Sequence, residues 1–124
     1  MEASSVLDLK AFVPAKDHEI AKQFYADLGF KLNWGNEQVA ELEIGSFRFL
    51  LQNFYVQQHV ENFMMHLMVD DADDWWKRIE EAGLRAKYPG ITAKPPTMQP
   101  WGLRVLYLTD PSGVLWHIAD RRSA

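Results

Sequence analysis

The sequence predicts an α+β fold made of two βαβββ modules in tandem, each a curved antiparallel or mixed sheet with one helix, together forming a concave cleft. Two observations carry this reading. Asp17 and Gly29 bracket one apolar-periodic stretch, Asp71 and Gly83 bracket another, each pair is twelve positions apart, and the second bracket lies 54 residues after the first. Short apolar strands separated by turn residues follow each bracket, so the repeated unit is a whole supersecondary motif. Half-sheets of this size cannot bury their own faces, so the two copies must pair, and the cleft they enclose is where chemistry would sit.

In chain order, Leu7 to Val13 is an apolar run interrupted by Asp8 and Lys10, which suits a strand, and Pro14 ends it because proline cannot donate to a central ladder. A helix follows, with Asp17 as N-cap, Ile20, Phe24, Tyr25 and Leu28 as its apolar stripe, and Gly29 supplying the positive φ of a C-terminal cap. Phe30 to Trp34 reads as a strand, Gly35-Asn36 as a turn, Val39 to Ile44 as a strand, Gly45-Ser46 as a tight turn and Phe47 to Leu51 as the fourth strand. Residues Asn53 to Asn62 are polar enough to link the halves, while Phe54, Tyr55 and Val56 suggest that the linker packs onto something.

The second half repeats the order. Phe63 to Val69 is its first strand, Asp70-Asp71 its helix cap, and Trp75, Trp76, Ile79 and Ala82 the buried helical face, with the tryptophans read as core or subunit contact. Lys87 to Gly102 holds Pro89-Gly90, Pro95-Pro96 and Pro100-Trp101-Gly102, and is expected to be a stiff loop replacing the first half's simple turn. Leu103 to Leu108 returns to strand, Asp110-Pro111-Ser112-Gly113 fits a type I turn, and Val114 to Ala119 is the last strand. The whole chain, 1–124, is one domain, with module one at about 5–52, the linker at about 53–62 and module two at about 63–120.

Composition narrows the function classes. The 124 residues are 48% hydrophobic and 24% charged, enough apolar mass for a core. Without cysteine there are no disulfides, thiol nucleophiles or thiolate metal sites, as suits a cytoplasmic protein. No signal peptide and no apolar stretch long enough for a membrane span is apparent. A net charge of −4 without a basic stripe disfavours nucleic acid and favours a cationic small molecule, with Glu37, Glu41, Glu43, Asp70 and Asp71 as the acidic groups that would attract it.

The paired βαβββ units, the segment Phe24-Tyr25-Ala26-Asp27-Leu28-Gly29-Phe30, the helix start Val69-Asp70-Asp71 and the turn Asp110-Pro111-Ser112-Gly113-Val114-Leu115 resemble the vicinal oxygen chelate superfamily. Those glyoxalases, bleomycin resistance proteins and extradiol dioxygenases share a glyoxalase-like fold. The segment Pro100-Trp101-Gly102-Leu103-Arg104 is most similar to the bleomycin-resistance-like branch. For catalytic members the resemblance implies a divalent metal held by one ligand from each of four strands, mostly histidines with a glutamate. The position seven residues before Asp17 is Lys10, a poor ligand, and the one seven before Asp71 is Met64, a thioether suited to softer metals. Aligning Gly45 with Gly113 makes Phe49 the partner of His117, which stands where the family has its final glutamate.

The usual metal constellation is thus absent, and three readings stay open. The first is a metal-free, cofactor-free binding protein that sequesters an aromatic or cationic small molecule, with Trp101, Phe49, Trp34, Phe47, Arg104, Met64, His66 and His117 as candidate contacts and Gln99 as an added donor. The second is a divergent metal-dependent lyase, isomerase or dioxygenase in which His66 and His117 with Glu43 or Glu41 hold a divalent ion. The third is a metal-free enzyme with Lys10, its pKa depressed by desolvation, as base or Schiff-base amine beside His66 or His117. Alternation from His117 places Trp116 on the opposite face, under a helix, and His18 and His59 are expected at the surface. The resemblance also implies antibiotic resistance as a role and a homodimer, often with the first strand exchanged, for which Pro14 is placed as a hinge.

Overall fold

The computed structural model describes residues 5–122. Its strands form two four-stranded sheets with the same internal order. The first contains β1 (Phe12–Pro14), β2 (Lys31–Gly35), β3 (Val39–Ile44) and β4 (Phe47–Gln52), arranged β1-β4-β3-β2. The second contains β5 (Met64–Met68), β6 (Ala93–Met98), β7 (Arg104–Thr109) and β8 (Leu115–Asp120), arranged β5-β8-β7-β6. In each sheet the first strand runs parallel to the fourth and the other neighbours are antiparallel, so the repeat in sequence is a repeat in space.

Helix α1 (His18–Leu28) starts where Asp17 accepts the Ile20 N–H and stops at Gly29, whose φ of 119° suits a residue without Cβ. Phe24, Tyr25 and Leu28 are buried as expected, but Ile20 is exposed and Ala21 takes its place against the core. Helix α3 (Ala72–Glu81) is capped by Asp71 in the same way, and Gly83 at φ 63° turns the chain into the short α4 (Leu84–Lys87). The linker holds the one-turn α2 (Gln57–Val60), with Val60 buried and Tyr55 packed on the core.

An aromatic knot joins the two modules. Tyr25 and Phe30 from the first half and Trp116 from β8 surround Phe49, with ring centroids 5.2 to 5.7 Å apart. Edge-on packing of such rings adds to the burial of their area. The Tyr25 hydroxyl donates to Asp110 at 2.6 Å and accepts from Trp116 Nε1 at 2.9 Å, tying α1 to the β7–β8 turn.

Three local expectations need correction. The first strand is three residues long and not Leu7 to Val13: Val6, Leu7 and Leu9 are 83%, 96% and 90% exposed, because β4 offers ladder partners to Phe12, Val13 and Pro14 alone within β1. The segment Lys87 to Gly102 is not an irregular loop, since its middle is strand β6. Pro95-Pro96 sits at the register shift between Lys94 and Thr97 on the sheet edge, where a missing N–H leaves no central ladder unsatisfied. His18 is buried, at 5% exposure, instead of lying at the surface.

Neither ring nitrogen of His18 has a hydrogen-bond partner among the described residues. Burial pushes its pKa below the ordinary imidazole value, with nearby Lys22 adding to the effect and the approach of the Asn36 backbone, which falls short of a hydrogen bond, together with Glu19 and Asp17 opposing it. The unfolded chain then binds a proton more readily than the folded one, so stability is full above the unfolded value of about 6.5 and declines as pH falls through it towards the folded value. Urea unfolding at pH 7 and pH 5 is expected to show this decline in the native protein and a smaller one in His18→Leu. Equal slopes would show that His18 does not titrate against folding.

Candidate ligand-binding cleft

Where the modules meet, a cleft of about 300 Å³ opens between β4 and β5. Its walls are Phe30, Ile44, Phe47 and Phe49 from the first half and Met65, Leu67, Met68 and Trp116 from the second, with Arg48 and His66 supplying polar groups. Strand alternation explains the lining. Met65 and Leu67 turn inward to the core while Met64, His66 and Met68 turn to the other face of β5, so the cleft draws on both faces at the sheet edge.

Of the sequence-derived candidates, Phe47, Phe49 and His66 line this cleft. Phe47 is 74% exposed and available to a ligand, whereas Phe49 is 3% exposed and forms the floor with Trp116. Trp34 on β2 and Trp101 in the β6–β7 turn are exposed but lie outside the lining, as do Met64, His117 and Arg104. Gln99 closes that turn through its backbone, donating to Leu103 O and accepting from Gly102 N. The remaining lining residues, Phe30, Ile44, Arg48, Met65, Leu67, Met68 and Trp116, are not among those candidates.

One register error explains much of this difference. The ladder pairs Phe12 with Leu50 in the first sheet and His66 with His117 in the second. The 54-residue offset carries Phe12 onto His66, so the counterpart of His117 is Leu50, and Phe49 corresponds to Trp116. Aligning the two glycine turns had shifted the strand by one residue, and one residue moves every side chain to the opposite face.

The candidate catalytic groups are mostly engaged elsewhere. Lys10 lies 2.5 Å from Glu41 and 2.9 Å from Asp8, and the Glu41 carboxylate holds its pKa above the ordinary lysine value, contrary to the depressed value that a base or Schiff-base amine requires. Glu41 is held below the usual carboxylate range by the same contact, and Asn33 donates to both Glu41 and Glu43. Arg48 approaches Glu43 at 3.6 Å and Asp8 at 3.9 Å. His66 and His117 stand side by side with ring centroids 6.3 Å apart, but among the described residues no group of three or more His, Cys, Asp or Glu side chains is placed to hold a metal, so Glu43 does not complete a set with them.

Arg104 is likewise no free ligand donor. It grips Asp120 with Nε and Nη2 at 3.0 and 2.7 Å and reaches Asp73 at 3.1 Å, while Asp71 is its more distant partner at 3.5 Å. Glu37 borders a separate polar groove with Asp17 and His18. Trp75 and Trp76 are partly buried against the core, with the Arg78 guanidinium 4.3 Å from the Trp75 ring. No helix among the described residues is long and apolar enough to cross a membrane.

The family model described as Glyoxalase/Bleomycin resistance protein/Dioxygenase superfamily matches residues 9–118. The chain belongs to this superfamily. Its fold is shared with a bleomycin-binding protein complexed with bleomycin, at a TM-score of 0.80 and 20% identity, covering 94% of this chain and 100% of that one. A bleomycin-binding protein from bleomycin-producing Streptomyces verticillus, complexed with copper(II)-bleomycin, is 25% identical at a TM-score of 0.72, covering 92% and 97% of the two chains. Lactoylglutathione lyase from Agrobacterium tumefaciens is similar too, at a TM-score of 0.69 and 18% identity over 97% and 96%. No curated protein matches the chain in sequence. The same fold therefore occurs in bleomycin-binding proteins and in a lyase, and the site has to decide between binding and catalysis.

Proposed function

We propose that this superfamily member is a small-molecule binding protein that sequesters a planar aromatic compound in the Phe30–Phe47–Phe49–Trp116 cleft without a divalent metal. The observation that carries this reading is the lining itself: four aromatic rings, aliphatic and thioether walls, and Arg48 and His66 as its polar groups. Flat rings with a few placed donors suit stacking and orientation. A cationic ligand is less well served, because no carboxylate is in the lining and Glu41, Glu43 and Asp71 already have cationic partners. The working unit in this reading is a homodimer. Val6, Leu7, Leu9 and Phe12 form an exposed apolar run directly before Pro14, which a second copy would cover.

The test is a fluorescence titration with N-phenyl-1-naphthylamine, an uncharged aromatic probe, in the presence of EDTA. Saturable quenching of tryptophan emission is expected at one probe per chain. Phe47→Ala should weaken affinity about tenfold or more, since burying a phenylalanine against a ligand is worth roughly 1.5–3 kcal/mol. Trp101→Ala should leave it unchanged. Absence of saturable binding, or binding that requires an added divalent metal, overturns the proposal. Sedimentation equilibrium reads the assembly separately, and a monomer at micromolar concentration removes the dimer from it.

A further inference from the structure

The cleft keeps its rings and its polar groups on different sides. Along β4, alternation turns Phe47 and Phe49 to one face and Arg48 to the other, and along β5 it turns Met65 and Leu67 to the core and His66 away from it. Phe30, Phe49 and Trp116 close the core side with ring centroids 5.6 to 5.7 Å apart, so a flat ligand seated on these rings meets its polar partners from the opposite side. Among the described residues of the lining, Arg48 is the only arginine or lysine, and no carboxylate joins it. Its two acidic neighbours leave its donors largely unspent. Glu43 Oε1 lies 3.6 Å from Nη1 and Asp8 Oδ2 lies 3.9 Å from Nε, both beyond hydrogen-bond length. Each has a closer partner of its own: Lys10 reaches Asp8 at 2.9 Å, and Asn33 Nδ2 donates to Glu43 at 3.4 Å.

We propose that the compound held in this cleft is an aromatic carboxylate, its carboxylate received by the Arg48 guanidinium with His66 as a second donor. This inference rests on the aromatic-ligand reading and adds the charge of the ligand to it. A guanidinium presents its N–H donors in a fixed planar fork that matches the two oxygens of a carboxylate, and charge-assisted bonds of this kind are about twice as strong as neutral ones. The apolar walls lower the local dielectric, which strengthens the attraction relative to the same pair in water. An imidazole carries an N–H in either tautomer, so His66 can donate whether or not it is protonated. Lys10 offsets Asp8, which leaves Glu43 as the group that competes with the ligand for the fork. A cationic ligand would meet Arg48 at the same wall with no lining carboxylate to offset it.

The experiment is isothermal titration calorimetry with EDTA present, comparing 2-naphthoate with its uncharged isostere 2-naphthamide, and with N-phenyl-1-naphthylamine as the reference for the cleft itself. In the native protein at pH 7, 2-naphthoate is expected to bind about tenfold or more tightly than 2-naphthamide. Arg48→Gln should bring the two affinities within about threefold of each other, and Arg48→Lys, which keeps the charge and loses the fork, should leave an intermediate ratio. Glu43→Gln should tighten 2-naphthoate severalfold by removing the competing carboxylate. Circular dichroism verifies that each variant is folded, and the native comparison needs no variant. Equal affinities for the two naphthalenes in the native protein, binding of neither, or a preference for 2-naphthoate that survives in folded Arg48→Gln overturns the carboxylate proposal. Saturable binding of N-phenyl-1-naphthylamine in those cases leaves the aromatic reading standing, whereas failure of all three compounds to bind removes both.

Discussion

Asp120→Ala is expected to lower the unfolding free energy by about 3–5 kcal/mol, as removal of one partner from a buried ion pair does. Asp120 is fully buried at the end of β8 and accepts from Arg104 Nε and Nη2, from the Ala72 N–H at 2.6 Å and from the Arg122 N–H at 3.1 Å. It thereby joins β7, β8 and the first turn of α3. Without it, Arg104 keeps its contacts with Asp71 and Asp73 alone among the described residues, and the Ala72 amide loses its acceptor there. The guanidinium of Arg104 beside Asp120 holds its carboxyl down at about 2. Because the folded value is depressed, this contribution is present above the unfolded value of about 4 and is lost as pH falls through 2, an effect of about 2 kcal/mol. Urea unfolding at pH 7 measures the mutational cost. A series from pH 4 to pH 2 should show a loss in the native protein that the variant lacks, and parallel curves would refute the assignment.

Asp110→Ala is expected to cost about 3–4 kcal/mol by leaving several buried donors without an acceptor at once. Asp110 is 2% exposed and accepts from Tyr25 Oη at 2.6 Å and from the Ser112 and Val114 N–H groups at 2.9 Å each. The carboxylate shapes its own turn and anchors the helix of the other module, so its removal loosens both. Tyr25→Phe should cost less, about 1–2 kcal/mol, since Trp116 Nε1 loses its acceptor while the turn keeps its backbone bonds. Burial pushes the Asp110 pKa above the ordinary carboxylate value, so between those two values the folded state binds more protons and stability falls as pH rises. That slope is opposite in sign to Asp120's, and it should disappear in Asp110→Ala. A cost below about 1 kcal/mol would mean that water replaces the carboxylate and that the turn does not depend on it.

Much of the fold was legible because its signals are local. Asp17 and Asp71 cap helices, Gly29 and Gly83 adopt positive φ, and Asp110-Pro111-Ser112-Gly113 closes with Gly113 N–H donating to Asp110 O, each an outcome decided within a few neighbouring residues. The site was less legible. Phe49 was placed opposite His117 because two turns of similar composition were assumed to set equal registers, and Arg104 looked available because its partners lie 16 and 31 residues away. His18 stands next to a helix cap, where polarity suggests solvent, yet the packing around α1 encloses it.

By itself the sequence determined the duplication, the order of strands and helices apart from β6 and the one-turn helices α2 and α4, the caps and turns of the longer elements, and the superfamily, because periodicity and backbone preference act over short stretches of chain. Tertiary structure alone decided which residues meet. Whether Leu7 to Lys10 finds a strand partner, whether Pro95-Pro96 stands at an edge, which carboxylates are neutralised and which rings wall the cleft all depend on strand register and on the packing of one module against the other. Those are long-range contacts, and a shift of one residue in a ladder, too small to disturb the local pattern, exchanges the face that looks into the core for the face that looks out.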